Sequence, residues 1–359
     1  MTEAIILVGG KGTRLRPLTV NTPKPMLPCA GVPFLTHLLG RLCKAGVEHV
    51  VMAMSYRPEA FVDYFGDGAG LGLRIDYVTE AEPLGTGGGI RNVADRLTSG
   101  PDAPVLVLNS DILSEHSMVD QLALHERTGA DVTLHLTRVA DARAYGSVPT
   151  APDGTVTAFL EKMPDPVTEQ INAGCYVFRR SVIDAIPAGE PVSVEREIFP
   201  ELLNTGRRVV GYLGDSYWLD VGTPAAFVKA SADLVLGRIS SPVVGEVDGE
   251  VLLLPGATAD SGAKLSRGSC LGHGTAVAAD ATIDGSVLLD GVVVEFGAVV
   301  VDSAVGAGAR IGAGTVIESA VVGDGARVGA GNELRSGTRV WTGAVLSECS
   351  IRFSSDMPS

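Results

Sequence analysis

The chain has 359 residues, 45% hydrophobic and 19% charged, and its 42 acidic against 28 basic residues leave a formal charge of −14. That length suits two domains and that composition a soluble globular protein, while the charge argues against nucleic acid or an anionic membrane surface as the main partner, since both select a basic face. Five scattered cysteines without a CxxC, no apolar run long enough to span a bilayer, and a start (MTEAIILVGG) unlike a secretion signal are what a reduced cytoplasmic protein is expected to show.

Residues 4–8 (AIILV) form a short apolar run ending in Gly9 and Gly10, which reads as a buried parallel strand feeding a loop. Phe34, Leu35, Leu38, Leu39 and Leu42 share one face of a helix that stops at Gly46. Strands are expected at 48–54, 74–79, 105–109, 131–139 and 175–178, with another leading into Glu161. Helices are expected at 58–65, 87–97, 181–186, 194–204 and from Pro224 to about Leu236. Strands alternating with helices define an α/β layered domain with a mostly parallel sheet. It is placed at residues 1–236, with 237–252 as a connector.

Beyond the connector the texture changes. Leu265, Leu271, Val277, Ile283 and Leu289 recur every six residues, as do Val294 with Val300, Val305 through Ile317, and Val322 through Leu346. Three steps of five separate these runs. A glycine often follows the aliphatic anchor (Gly272, Gly306, Gly312, Gly323, Gly329), as if to accommodate a corner. Neither a helix nor a flat strand has a period of six, whereas one face of a triangular coil does. The expectation is a left-handed parallel β-helix of hexapeptide repeats over 253–352, of about five coils, with 353–359 as a tail. Its single histidine, His273, argues against a second, acyl-transferring active site there. Assembly into a homo-oligomer and allosteric coupling are the expected roles. Val299, Val300 and Val301 are consecutive, so one of them at least points outward.

The start of this acidic chain carries no Asp or Glu between Ala4 and Val47, but six cations: Lys11, Arg14, Arg16, Lys24, Arg41 and Lys44. Gly9, Gly10 and Gly12 let backbone N–H groups approach a phosphate chain. Arg14 adds a planar, permanently charged fork, and Lys24 a second cation between two stiff prolines. A small polyanionic ligand fits this asymmetry. Asp111 follows a strand at the carboxyl edge of the sheet, where α/β folds bind ligands. With Asp220 it suits Mg²⁺, which takes one or two carboxylates and fills the rest with phosphates and water. Glu161–Lys162 taken alone reads as a surface ion pair. Glu195 in SVERE fits a ligand contact and a helix cap equally well.

LVGGKGTRLRPLT followed by PKPM resembles the sugar-phosphate nucleotidyltransferases, or nucleotide-sugar pyrophosphorylases. PLGTGGG (83–89), LNSD (108–111), FLEK (159–162), INAGCYVF (171–178) and YWLDVGTP (217–224) fall in that family's order, so the resemblance covers essentially the whole chain. It implies a Rossmann-like mixed-sheet nucleotidyltransferase domain that joins an NTP to a sugar 1-phosphate and releases pyrophosphate. It assigns catalysis to Arg14, Lys24 and Lys162, and nucleotide binding to Leu7, Gly9, Gly10, Gly12, Thr13, Gly85 and Asp111. Sugar binding falls to Glu161, Asn172, Gly174 and Glu195, and Mg²⁺ to Asp111 and Asp220. Met163 stands where many relatives have proline, which implies a modest loop difference. The Val-Gly-Gly opening, SVEREIFP (193–200) and NAGCYVF are most similar to bacterial mannose-1-phosphate guanylyltransferases of the actinobacterial kind, which implies GTP and mannose 1-phosphate as substrates. Glucose 1-phosphate with UTP, dTTP or ATP is the alternative within the family. A silent nucleotide-sugar-binding regulatory subunit is the alternative outside it, and would be expected to have lost one of Arg14, Lys24, Asp111, Lys162 or Asp220, all of which are present.

Overall fold

The computed structural model describes residues 2–55 and 57–352; the tail expected at 353–359 lies outside them. The chain divides into two compact units. One joins the first ten residues to Leu38–Trp218, and the other joins Lys11–His37 to the chain from Leu219 onward.

The first unit is built on a nine-stranded mixed sheet. In chain order its main elements are β1 (Thr2–Val8), the end of helix α1 (Phe34–Lys44), β2 (Val47–Met54), β3 (Arg74–Thr79) and α2 (Gly85–Asn92). They continue with β4 (Pro104–Asn109), α3 (Met118–Thr128), β5 (Val132–Arg138), β6 (Gln170–Arg179) and β7 (Val209–Leu213). β1 lies parallel between β2 and β4, and β3 extends that parallel run. β6 runs antiparallel to both β4 and β5, and β7 returns parallel to β5. The central strands read as near-continuous apolar runs because both of their faces are buried. Ile5, Val51, Val107, Tyr176 and Phe178 meet in one fully shielded core.

One of these helices, α3, carries no clear sequence signal. In α3 the buried face is Met118, Gln121 and His125, so its apolar periodicity is faint. Gln121 donates to the carbonyls of Thr133 and Cys175, and His125 Nδ1 lies 3.0 Å from Thr133 Oγ1. The helix expected at 87–97 begins at Gly85 and gives way to a single 3₁₀ turn at Ala94–Arg96. The helix expected at 194–204 opens with a π-helical turn, Val194–Ile198.

At the amino end of β1 the carboxylate of Glu3, wholly shielded from solvent, accepts from the backbone N–H groups of Thr98 and Ser99 and from the Thr98 hydroxyl. His49 Nδ1 sits 2.7 Å from the same carboxylate, and its Nε2 lies 3.1 Å from Asp76. This network fixes the end of the sheet opposite to the loops that follow β1 and β4.

In the second unit, helix α4 (Pro224–Val235) starts with Pro224 at its first position and Thr223 Oγ1 accepting from Ala226 N at 3.2 Å. A left-handed parallel β-helix follows, made of three parallel sheets of six, six and five strands. Leu271, Val277, Ile283, Val294, Val300 and Ile311 stack inside it, all close to fully buried. Of the three consecutive valines, Val300 points inward and Val299 and Val301 are half-buried.

One anchor differs from the expected register. Leu288, not Leu289, pairs with Leu271 on one side and Val305 on the other. Neighbouring residues on a strand face opposite ways, so only one of two adjacent leucines can join the stack. Leu288 brings the five-residue step to the same corner in three successive coils. At that corner Ser269 Oγ accepts from Ser286 N, 17 residues on, and Ser286 Oγ accepts from Ser303 N, again 17 residues on. The hydroxyl ladder satisfies amides that the shortened turn would otherwise bury unpaired.

The glycines after the anchors also have a different cause from the one expected. A Cβ on Gly272, Gly306, Gly312, Gly323 or Gly329 would lie 2.5–2.6 Å from a backbone nitrogen of the following coil. Close coil-to-coil approach, not corner torsion, excludes a side chain there. The corners that need positive φ are taken by other glycines, such as Gly308 (φ 66) and Gly314 (φ 63).

Candidate active site

In the first unit the chain leaves β1 at Gly9 and Gly10, and Gly10 adopts φ 94, which a side chain would strain. Next to it, β4 ends at Asn109, and Ser110 N donates to Leu7 O at 3.3 Å. A cleft of about 330 Å³ opens over these strand ends, lined by Leu7, Gly9, Gly10, Ser55, Glu80, Gly85, Thr86, Asn109 and Asp111, among others. The residues assigned from sequence as Leu7, Gly9, Gly10, Gly85 and Asp111 therefore share one cavity.

The glycine run of α2 has a packing reason. Gly85 has φ 70, and a Cβ there would lie 2.7 Å from Val192 O. Gly87 N donates to that same carbonyl at 2.8 Å, and a Cβ on Gly88 would lie 2.5 Å from Glu190 O. Bare backbone thus seats the helix directly on residues 190–192. Gly89 leaves room for Glu80, whose Oε1 stands 2.7 Å from where a Cβ would be. Glu80 Oε2 accepts from Leu84 N at 3.2 Å. Burial raises its carboxyl above the ordinary value, and the Leu84 amide opposes part of that rise. Glu80, Ser55, Thr86 and Asn109 are cleft residues that the sequence did not single out. The one signal for Glu80 was a carboxylate five residues ahead of Gly85, unremarkable in so acidic a chain.

Glu195 is engaged locally. Its Oε2 accepts from Thr86 Oγ1 at 2.7 Å and from Ser193 Oγ at 2.9 Å, and Thr86 in turn accepts from Val194 N. Farther along the sheet, Glu161 pairs with Gly146, where a Cβ would lie 2.8 Å from its Oε2. Lys162 has φ 52, donates its N–H to Tyr145 O, and places Nζ 3.6 Å from Glu161 Oε1. The β5–β6 register slips between Asn172 and Tyr176. Gly174 turns the resulting bulge with φ 77 and faces Asn109, whose Nδ2 would be 2.9 Å from a Cβ. Asn172 donates to Tyr176 OH at 2.8 Å and accepts from Gly174 N at 3.1 Å. Trp218 Nε1 donates to Ala173 O at 3.0 Å, pinning the bulge.

The second unit holds the remaining assigned residues. Gly12 has φ 57, and its carbonyl accepts from Thr19 Oγ1 at 2.7 Å and from Leu15 N at 3.0 Å. A Cβ on Gly12 would press on Thr19 and on Lys24 Cβ, both at 3.1 Å. Thr13 and Arg14 are exposed on the 3₁₀ turn Thr13–Leu15. Gly222 lies between two charged groups: a Cβ there would be 2.6 Å from Arg14 Nη2 and 3.0 Å from Asp220 Oδ1. Among the described residues no group of three or more His, Cys, Asp or Glu could hold a metal.

A larger cleft of about 450 Å³ lies beside α4 in the second unit. Its cations are neutralised in place. Lys229 and Arg238 pair with Asp233, and Arg267 with Asp284 and Asp302, so it offers no excess charge to a ligand.

A glycine-lined cleft over parallel strand ends, a cation-bearing loop and a coiled tail are the parts of a nucleotidyltransferase. The chain belongs to the nucleotidyl transferase family, whose model matches residues 3–235, and a GMPPB C-terminal domain model matches 247–339. It is 56% identical to the mannose-1-phosphate guanylyltransferase of Mycobacterium tuberculosis over 264 residues, 73% of each chain. It is 33% identical to mannose-1-phosphate guanylyltransferase 1 of Arabidopsis thaliana over 290 residues, 74% of this chain and 80% of the other. Among solved structures, HddC from Yersinia pseudotuberculosis complexed with GMP-PN matches with a TM-score of 0.55 and 28% identity, over 64% of this chain and 98% of that one. A putative glucose-1-phosphate thymidylyltransferase from Bacillus anthracis shares the fold, with a TM-score of 0.59 and 20% identity over 67% and 97% of the two chains.

Proposed function

We propose that the chain is a mannose-1-phosphate guanylyltransferase, converting GTP and mannose 1-phosphate to GDP-mannose and pyrophosphate. The observation that carries the choice of base is Glu80, a carboxylate that lines the same cleft as the Gly85 backbone and is bonded to the Leu84 amide beside it. Guanine alone among the common bases offers two adjacent donors, N1–H and the N2 amino group, to a carboxylate. The close relatives named above support the same reading.

The reaction needs no covalent intermediate. A phosphate oxygen of mannose 1-phosphate attacks the α-phosphorus in line as pyrophosphate leaves, so the protein contributes positioning and charge. Arg14 and Lys24 stabilise the charge that develops on the leaving pyrophosphate in the transition state. Lys162 grips the sugar phosphate, and Glu161, Asn172 and the bulge at Gly174 orient the hexose hydroxyls. Mg²⁺, for which Asp111 and Asp220 supply carboxylates, would neutralise phosphate charge when bound. The five free cysteines suit a cytoplasmic enzyme. The exposed Phe296, Trp341 and Val345 of the β-helix suit assembly into a homo-oligomer.

The test is a substrate matrix: GTP, UTP, dTTP, ATP and CTP, each with mannose 1-phosphate and with glucose 1-phosphate, coupled to inorganic pyrophosphatase. Fastest turnover is expected with GTP and mannose 1-phosphate. A different best pair would overturn the assignment and keep the chemistry, and no turnover in any pair would restore the regulatory-subunit alternative.

A further inference from the structure

The signature loop does not hold its shape alone. Within the second unit, Arg339, on a late β-helix strand (Arg339–Val340), extends Nη1 to the carbonyl of Arg16 at 2.6 Å. That carbonyl comes directly after the Thr13–Leu15 turn that presents Arg14. One coil earlier, the Asp324 carboxylate hydrogen-bonds the Asn21 side chain and accepts from Ala307 N at 3.0 Å. The other end of the loop segment is tied as well. Ser231 Oγ accepts from Ala30 N at 3.1 Å, His37 Nδ1 lies 2.7 Å from Ser241 Oγ, and Gly31 has no side chain because Leu254 packs 2.7 Å from its Cβ position.

From these contacts we infer that Arg339 is a positioning residue for the reaction: the β-helix, through Arg339 and Asp324, sets the conformation of the 11–20 loop and so the aim of Arg14. A charge-assisted bond to a carbonyl is among the stronger single contacts a side chain makes. The loop's own backbone bonds, Arg16 N to Thr13 O at 3.3 Å, Leu18 N to Leu15 O at 3.2 Å and Val20 N to Pro17 O at 3.1 Å, end on other carbonyls. The consequence for activity rests on the reaction proposed above. The loop conformation itself does not, and the experiment separates the two.

Full-length wild type, Arg339→Ala, Arg339→Lys and Asp324→Ala are compared by steady-state kinetics, by hydrogen exchange of the 11–20 peptide and by melting temperature. Arg339 is exposed, so the alanine variant is expected to melt with the wild type. Its kcat should fall about 10- to 100-fold, the scale of a misaimed catalytic group, with KM for both substrates unchanged and the 11–20 amides exchanging faster. Arg339→Lys, which keeps a donor, should recover most of both losses. Wild-type kcat together with wild-type exchange in Arg339→Ala overturns the inference. So does a loss that tracks a lowered melting temperature and is not restored by lysine. If the wild type turns over no substrate pair, the proposed reaction fails, and the exchange measurement still decides the loop.

Discussion

Gly222 shows how narrowly single residues are placed. A Cβ there would strike the Arg14 guanidinium at 2.6 Å, so the position stays bare to let that charge sit near Asp220. Arg14→Ala is expected to lower kcat and kcat/KM together by about 10²- to 10³-fold, as when a transition-state donor is removed. Near-normal turnover would remove Arg14 from the chemistry. Glu80→Gln is expected to raise KM for GTP about 10- to 100-fold, the scale of lost charged hydrogen bonds, while leaving poor nucleotides as they are. Because burial raises the Glu80 carboxyl, its protonation on acidification begins earlier than for an ordinary carboxylate. KM for GTP should therefore climb as pH falls, and the glutamine variant should lose that dependence. Arg14 and Lys24 were marked in the sequence as cations in an acid-free stretch, and Gly85 by the family resemblance. Glu80 was not, since nothing marks one carboxylate among 42 until the fold sets it across from Gly89.

Elements were legible in proportion to how apolar their buried faces are. β3 was expected at 74–79 and spans Arg74–Thr79, whereas α3 left no trace because its buried positions include Gln121 and His125. In the β-helix the period of six was plain, yet only stacking decides between Leu288 and Leu289. The two glycine classes there are separable by experiment. Gly312→Ala drives a Cβ to within 2.5 Å of Ala330 N, and the coil must open. Gly314→Ala meets nothing within 4 Å and strains only a residue at φ 63. Chemical denaturation is expected to find Gly312→Ala destabilising by about 1–3 kcal/mol or more and Gly314→Ala by about 1–2 kcal/mol. The reverse order would show that corner torsion, not coil contact, dominates.

Across the molecule, buried titratable groups make stability depend on acid. Burial holds His37 and His125 down to about 4, His116 to about 3 and His135 to about 2, each neutral in the fold. For these, the unfolded chain binds protons that the folded chain refuses. Their contribution is present above an unfolded value near 6.5 and is lost as pH falls toward the folded values. Glu3 adds a second step. Burial alone would raise its carboxyl, but hydrogen bonds from Ser99, His49 and Thr98 outweigh that and bring it to about 2. Its stabilisation, on the order of 3 kcal/mol, is present above about 4.5 and lost as pH falls toward 2. Unfolding free energy should thus fall as pH drops through the histidine range below about 7 and more steeply once Glu3 begins to protonate below about 4.5, and Glu3→Gln should remove that added steepness. A single transition identical in wild type and variant would contradict this.

The sequence by itself determined the class of each part: an α/β layer from alternating apolar runs, a coiled tail from a period of six, and a loop of glycines and cations without acids. Those are local signals, carried by residues within a few positions of one another. The tertiary structure alone decided which carboxylate enters the cleft over the strand ends, which leucine stacks, and that the loop of Arg14 clusters with the tail, not with the sheet it follows. These depend on contacts between residues as far apart as Arg16 and Arg339. Such pairings are chosen by packing and hydrogen-bond geometry, and neither leaves a periodic mark on the chain.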